Sequence, residues 1–247
     1  MIISHKHRFI YLRTEKTGST SLSNVLETVL GDEDIRGTMS RPAWARYSPI
    51  HHGALKRNFP QWFGLHTHAT AKQVRQIVGK KIFDSYFKFA VERNPWDRQV
   101  SLYFHREWKK NNKNPDFDRD MRSAIYRNTE YCKLNNWSIY AIGNEVVVDR
   151  VLRYENLNNE ITSTLHDLGI DIEIEMPRMR SYAPGRPHYS TYYTDWTRNL
   201  VAKWYAKDIE ALGYTFETKS DDNTGLIAKP MTAAANEQPF QGGQAAP

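Results

Sequence analysis

The segment Phe9-Ile-Tyr-Leu-Arg-Thr-Glu-Lys-Thr-Gly-Ser-Thr-Ser-Leu22 constrains this chain more than any other stretch. Four apolar residues, Phe9 to Leu12, read as a buried strand. A short Lys-Thr-Gly-Ser-Thr loop follows. Beyond it, Leu22, Val25, Leu26, Val29 and Leu30 recur close to the i, i+3, i+4, i+7 spacing of an amphipathic helix. A strand that turns tightly into a helix exposes first-turn amides with no intrahelical partners, at the positive end of the helix dipole. Gly18 lets the backbone come close, Lys16 adds a mobile full charge, and Ser19, Thr20 and Ser21 add short hydroxyl donors. Such a loop suits phosphate or sulfate.

The spacing departs from the Walker A loop, GxxxxGK[ST], whose lysine follows the second glycine directly. Here Lys16 precedes Gly18, and Gly18 is the first glycine in the chain. A plain strand-to-helix turn with Ser19 as N-cap is the bland alternative. Downstream, residues 32 to 64 read as irregular chain, and long insertions of this kind are usually functional or mobile. A helix is expected over Ala69 to Val78, stopped by Gly79. Tyr86 to Val91 reads as a second buried strand. Asn94 then caps a helix that starts at Pro95 and runs to about Lys110. Further helices are predicted over Asp120 to Glu130, Glu155 to Leu168 (ended by Gly169) and Asp195 to Leu212 (ended by Gly213). A third strand is predicted over Glu145 to Arg153. Strands alternating with helices indicate an α/β fold with a parallel sheet covered on both faces. One domain over residues 1 to 217 is expected, and residues 218 to 247 carry little that could pack and are expected to be disordered.

Charge narrows the partners. The formal net charge is +6, which favours an anionic ligand. Between Asp34 and Asp84 there is no acidic residue, whereas Arg36, Arg41, Arg46, Lys56, Arg57, Lys72, Arg75, Lys80 and Lys81 all fall there. For Lys72, Arg75, Lys80 and Lys81 a solvated basic surface is the preferred reading. The Arg41 to Arg57 stretch, interspersed with Trp44, Tyr47, Phe59 and Trp62, suits either a solvated surface or a polyanionic or sugar-like substrate. The single Cys132 excludes an internal disulfide framework and a cysteine metal cluster. No apolar run has transmembrane length and no leader is evident at Met1, so a soluble, cytoplasmic protein is expected. No nucleic-acid partner is expected, and the oligomeric state is left open.

The second chemical signal is Phe89-Ala-Val-Glu-Arg-Asn-Pro-Trp-Asp-Arg-Gln-Val-Ser-Leu-Tyr103. Arg93 sits where a strand ends, the ligand edge of such a sheet. Ser101 lies two helical turns beyond Asn94, on the face of Asp97. A guanidinium and a hydroxyl there make a grip for a second phosphate. The alternative is that Arg93 and Arg98 only brace the turn by pairing with Asp97 and Glu92, and for Arg98 bracing is preferred.

With both segments in hand, the chain resembles the sulfotransferases that use 3′-phosphoadenosine 5′-phosphosulfate (PAPS). Their signatures, K-[ST]-[GA]-[ST]-[ST] and R-[ND]-P-x-x-R-x-x-S, both occur in order. Val151-Leu-Arg-Tyr-Glu-Asn-Leu157 and Ala206-Lys-Asp-Ile-Glu-Ala-Leu-Gly-Tyr214 agree. The likeness covers roughly residues 6 to 217 and is nearest to the carbohydrate 2-O-sulfotransferase branch. It implies a P-loop-like three-layer α/β/α fold with a central parallel sheet, and transfer of a sulfuryl group from PAPS to a hydroxyl, expected to be a glycan's. It further implies that Lys16, Thr17, Gly18, Ser19, Thr20 and Ser21 hold the 5′-phosphosulfate, and Arg93 and Ser101 the 3′-phosphate. Arg178, Arg180 and Arg186 are candidates for a basic loop over the nucleotide, with Tyr189, Tyr192 and Tyr193 either lining the cleft or simply packing. Glu15 departs from the pattern: a carboxylate beside a dianion must point away, pair with a base or reduce affinity.

The acceptor's proton needs a base and the leaving phosphate needs its charge stabilised. Lys16 suits the second task. For the first, Leu65-His-Thr-His-Ala69 resembles the His-x-His element of the 2-O-sulfotransferases, which makes His68 the candidate base with His66 alongside. Either histidine could instead cap the helix that follows, and a carboxylate on the first helix, such as Glu27, is the other candidate. The scheme requires no metal. Two further classes stay open: an ATP- or GTP-dependent phosphotransferase, and a nucleotide- or polyanion-binding protein without catalysis.

Overall fold

The computed structural model describes residues 1–37, 66–129, 131–172, 174 and 186–218. The expected tail beyond Thr218, the Arg41 to Arg57 stretch, and Arg178 and Arg180 lie outside these residues. Five strands form the main sheet in the order β3-β1-β2-β4-β7, with β1 at Ile2–Ser4, β2 at Phe9–Leu12, β3 at Ile35–Arg36, β4 at Phe87–Glu92 and β7 at Arg150–Arg153. The β2, β4 and β7 strands run parallel, with Tyr11 opposite Phe89 and Ala90 opposite Val151. The β1 strand is antiparallel to both β2 and β3. A separate hairpin joins β5 (Ala141–Ile142) to β6 (Glu145–Val146).

Side-chain alternation sorts the sheet into two faces. Phe9, Tyr11, Phe89, Val91 and Leu152 point to one face, where α1 (Ser19–Glu27) contributes Leu22 and Leu26 and α8 (Leu157–Asp167) contributes Leu157, Ile161 and Leu165. Ile10, Leu12 and Ala90 point to the other, covered by α2 (Ala71–Val78), α3 (Lys80–Ser85) and α7 (Trp137–Tyr140) through Val74, Phe83, Ile139 and Tyr140. Burial on both faces explains why β2 reads as an unbroken apolar run and β4 as one interrupted only by Lys88 before it ends at Glu92. Each fully buried Leu or Phe contributes about 2–3 kcal/mol. A third apolar cluster surrounds α4 (Pro95–Lys109), where Trp96, Val100 and Tyr103 meet α5 (Phe117–Arg122), α6 (Ala124–Arg127), α9 (Asp195–Trp204) and α10 (Ala206–Leu212).

Four expected elements need correction. Glu145 to Arg153 is not one strand: Asp149 interrupts it, its carboxylate accepting the Lys88 amide at 2.6 Å, so β6 turns back on β5 and only Arg150–Arg153 joins the sheet. Asp120 to Glu130 is not one helix, because Ser123 is extended and its hydroxyl caps α6 at Tyr126 N. Asp195 to Leu212 breaks at Tyr205, whose hydroxyl is drawn inward to Leu134 N and Gln99 Oε1. Residues 35 and 36, read as irregular chain, extend the sheet as β3.

Candidate functional site

Three parallel strands end at one edge of the sheet, and the residues just past them build the site. Past β2, Arg13 to Gly18 form the loop. Lys16 and Gly18 both take left-handed backbone conformations, with φ of 62° and 70°. Gly18, not Ser19, is the N-cap of α1, and no side chain caps that helix. By contrast Thr70, Asn94 and Thr194 cap α2, α4 and α9 with their own oxygens. The α1 first-turn amides are thus left without a side-chain cap. A Cβ at residue 18 would come within 3.0 Å of Tyr154 Cε2, so the loop and the end of β7 touch there.

The loop is braced from inside. Thr14 Oγ1 donates to Val91 O and accepts from Thr17 Oγ1 at 2.8 Å, tying the loop to β4. The Thr17 hydroxyl is therefore spent on structure, leaving its amide as the group that could meet a ligand. Thr20 Oγ1 accepts from Arg13 Nη2 at 2.8 Å. Buried Asn136 clasps the Glu15 backbone from both sides, accepting from its N–H at 3.0 Å and donating to its carbonyl at 3.1 Å. Glu15 itself is half-buried, and burial raises its carboxyl above the usual range, against the pull of Lys16. The Lys16 charge thus offsets part of the cost of burying the Glu15 carboxylate.

Past β4, Arg93 points back at this loop. Its Nη1 donates to Lys16 O at 3.4 Å, its guanidinium lies over the Tyr154 ring at 4.3 Å, and its Nε donates to Asp97 at 2.7 Å. Arg186 pairs with the other oxygen of Asp97. Ser101 sits one turn beyond Asp97 on α4, partly exposed, and among the described residues its hydroxyl meets no protein partner. Burial pulls the Lys16 ammonium down to about 8, and the charge of Arg93 pushes the same way. An anion placed beside Lys16 would offset both effects and favour its charged form.

His68 lies on the same edge. Its Nδ1 is 2.9 Å from Arg13 O. A carbonyl can only accept, so Nδ1 carries the proton and Nε2 keeps its lone pair. Burial holds the His68 imidazole down to about 3, the nearby Arg13 charge adding to the effect, so the ring is neutral. His66 Nδ1 accepts the His68 amide at 3.0 Å, closing the turn that presents His68 ahead of Thr70, the N-cap of α2. Glu27 stands exposed on the last residue of α1.

Beneath the site lies an ionic core. Arg98 is fully buried and pairs with Glu92 at 2.6 Å and Asp208 at 3.5 Å, its guanidinium stacked on Tyr205 at 4.3 Å. Bracing is therefore what Arg98 does. Glu92 also accepts from Arg93 N at 2.8 Å and from Asn136 Nδ2 at 3.1 Å, so one carboxylate ties β4, α4 and the first loop together. Arg93 both braces and faces the loop. Tyr189 and Tyr193 turn out to pack: Tyr189 OH accepts from Glu217 N at 2.7 Å, and Tyr193 OH donates to Trp96 O at 2.8 Å.

The structure thus brings Lys16, Gly18, Ser19, Thr20, Ser21, Arg93, Arg186 and His68 to one sheet edge. Sequence reading missed Arg13, Asn136, Tyr154 and the double role of Asp97. For Asp97 the i+4 spacing gave the pairing with Arg93, but nothing local gave Arg186, 89 residues away. Asn136 lies 121 residues from its partner Glu15 and gave none. No helix among the described residues is long and apolar enough to cross a membrane.

A family model described as "Sulfotransferase family" matches residues 1–215, and so takes in every residue of this edge. An uncharacterized protein of Archaeoglobus fulgidus is 34% identical over 108 residues, which cover 43% of this chain and 87% of that protein. Among solved structures, mouse sulfotransferase SULT7A1 complexed with PAP aligns over 83% of this chain and 86% of that one, at 14% identity and a TM-score of 0.46.

Proposed function

Because this chain belongs to the sulfotransferase family, we propose that it moves a sulfuryl group from PAPS to a hydroxyl, with Lys16 and His68 as the reacting side chains. The observation that carries this reading is the 3.4 Å approach of Arg93 Nη1 to Lys16 O. It brings the loop after β2 and the turn after β4 side by side, which supports reading them as two grips on one nucleotide bearing phosphate at two ends. The side chains fit such a ligand. Lys16, Arg93 and Arg186 converge, and Arg186 Nη1 is buried without a hydrogen-bond partner among the described residues. PAPS supplies an activated sulfuryl group whose leaving phosphate gains charge as the bond breaks. On this reading Lys16 and the uncapped α1 amides stabilise that charge. His68 accepts the acceptor's proton at Nε2, since Arg13 O holds the other nitrogen as a donor. A dianion beside His68 raises its basicity from the ligand-free value.

The acceptor is read as a sugar hydroxyl, on the resemblance of Leu65 to Ala69 and the arginine- and aromatic-rich composition of residues 41 to 62. The test is transfer from radiolabelled PAPS to a panel of glycans, phenols and lipids, with mass analysis of the product. Lys16→Ala should lower kcat roughly 10²–10³-fold. His68→Ala should lower it about 10²–10⁴-fold while leaving the affinity for adenosine 3′,5′-bisphosphate unchanged. Activity should persist in EDTA, because side chains and amides carry the charge. Normal turnover in both variants would overturn the assignment, and Mg²⁺-dependent transfer from ATP in place of PAPS would overturn the reaction class.

A further inference from the structure

Asp97 has no assigned part in the chemistry, yet it is the carboxylate on which two arginines of the site meet. Arg93 donates to its Oδ2 from Nε at 2.7 Å, with Nη2 at 2.5 Å, while Arg186 pairs with Oδ1. The three side chains are mostly buried, at 11%, 17% and 21% exposure for Arg93, Asp97 and Arg186. Two guanidiniums brought to one place repel each other, and burial weakens the screening. A carboxylate between them removes that penalty and fixes both planes, because each oxygen takes a different arginine.

The donors that remain are informative. Arg93 still has Nη1, which lies toward the Lys16 carbonyl. Arg186 has Nη1, buried and unpartnered among the described residues. Tyr154 supports the Arg93 guanidinium from its other side. Ser101 is one turn further along α4, on the same face. Resting on the nucleotide reading above, we infer that Asp97 is a positioning residue that assembles Arg93 and Arg186 into a two-guanidinium clamp. The ligand of that clamp is a phosphate monoester, the group that distinguishes a 3′-phosphorylated adenine nucleotide from a plain 5′ nucleotide. The triad keeps a net charge of +1, so the clamp still attracts a dianion.

A simple structural role for Asp97 would weaken all ligands alike; a clamp role would weaken only the ligand that carries the extra phosphate. The experiment is calorimetric titration of the whole chain, wild type and Asp97→Asn, with adenosine 3′,5′-bisphosphate and with adenosine 5′-monophosphate. Thermal unfolding of each protein is followed in parallel. The expected result is a loss of about tenfold in affinity for the bisphosphate, with the monophosphate changed less than about twofold. Arg186→Gln should reproduce that selective loss, and Asp97→Glu should recover part of it. Equal weakening of both ligands, or unchanged or tighter bisphosphate binding in Asp97→Asn, overturns the inference. A wild-type protein with no preference for the bisphosphate overturns the nucleotide reading and the clamp with it, whereas a wild-type preference that survives Asp97→Asn overturns the clamp alone.

Discussion

At the scale of single residues, protonation decides what this site can do. Lys16 is useful only while charged, and burial has moved its pKa from 10.5 to about 8. The ligand-free protein therefore loses that charge as the pH rises past about 8. The profile of kcat/KM for the sulfuryl donor, which reports free-enzyme groups, should show an alkaline limb near that value. Lys16→Arg should carry the limb upward, because a guanidinium stays protonated; a limb unmoved by that change would assign it to another group. His68 works the other way. Its pKa falls from 6.5 to about 3 on folding, so between those values the unfolded chain binds the extra proton. Acidification through that window should destabilise the protein, and His68→Gln should flatten this part of the stability curve measured by urea unfolding. The type of these residues was legible in the sequence: a lysine in a hydroxyl-rich turn, a His-x-His pair, an arginine at a strand end. Their protonation was not, because it depends on burial and on neighbours such as Arg93 and Arg13 from other segments.

At the scale of elements, the loop between β2 and α1 is held by parts remote in sequence. Asn136, at the start of α7, is the strongest of these holds: it meets Glu15 on both backbone polar groups and Glu92 on its carboxylate. Asn136→Ala leaves a buried donor and a buried carboxylate short of partners, so a loss of about 2–3 kcal/mol is expected in denaturant unfolding. Nucleotide affinity should fall as well, since the left-handed Lys16 backbone would lose its support. Stability within about 0.5 kcal/mol of wild type would show that the clasp contributes little. Local signals located the elements well where they were strong. Asn94 and Pro95 start α4 as their chemistry dictates, and Gly169 and Gly213 sit in left-handed conformations just past α8 and α10. They failed where a distant partner intervened. Tyr205 breaks a pattern that reads as one helix, because its hydroxyl is engaged 71 residues away at Leu134 and 106 away at Gln99.

At the scale of the whole molecule, the Glu92–Arg98–Asp208 group joins the sheet, α4 and α10 beneath the site. A buried ionic group costs desolvation to assemble and far more to break by halves. Arg98→Ala leaves two buried carboxylates facing each other, and a loss of about 3–5 kcal/mol is expected. For a chain of this size that lowers the unfolding midpoint by roughly 10 °C. Adding Glu92→Gln should recover part of it, since the remaining repulsion is relieved. A midpoint within about 2 °C of wild type in Arg98→Ala would show that the carboxylates find other compensation.

By itself the sequence determined much of the local conformation and the chemistry at hand: which runs are apolar enough to form the inner strands, which turn is short and rich in hydroxyls, and which cations stand at strand ends. Those properties arise from neighbours within a few residues. The tertiary structure alone decided that β1 and β3 complete the sheet, that Asp97 gathers two arginines, and that burial holds His68 neutral while the Arg13 carbonyl fixes its tautomer. Each of these depends on groups tens of residues apart meeting in a buried place, where a lone charge or unpaired polar atom is costly and each group's partners therefore settle its state.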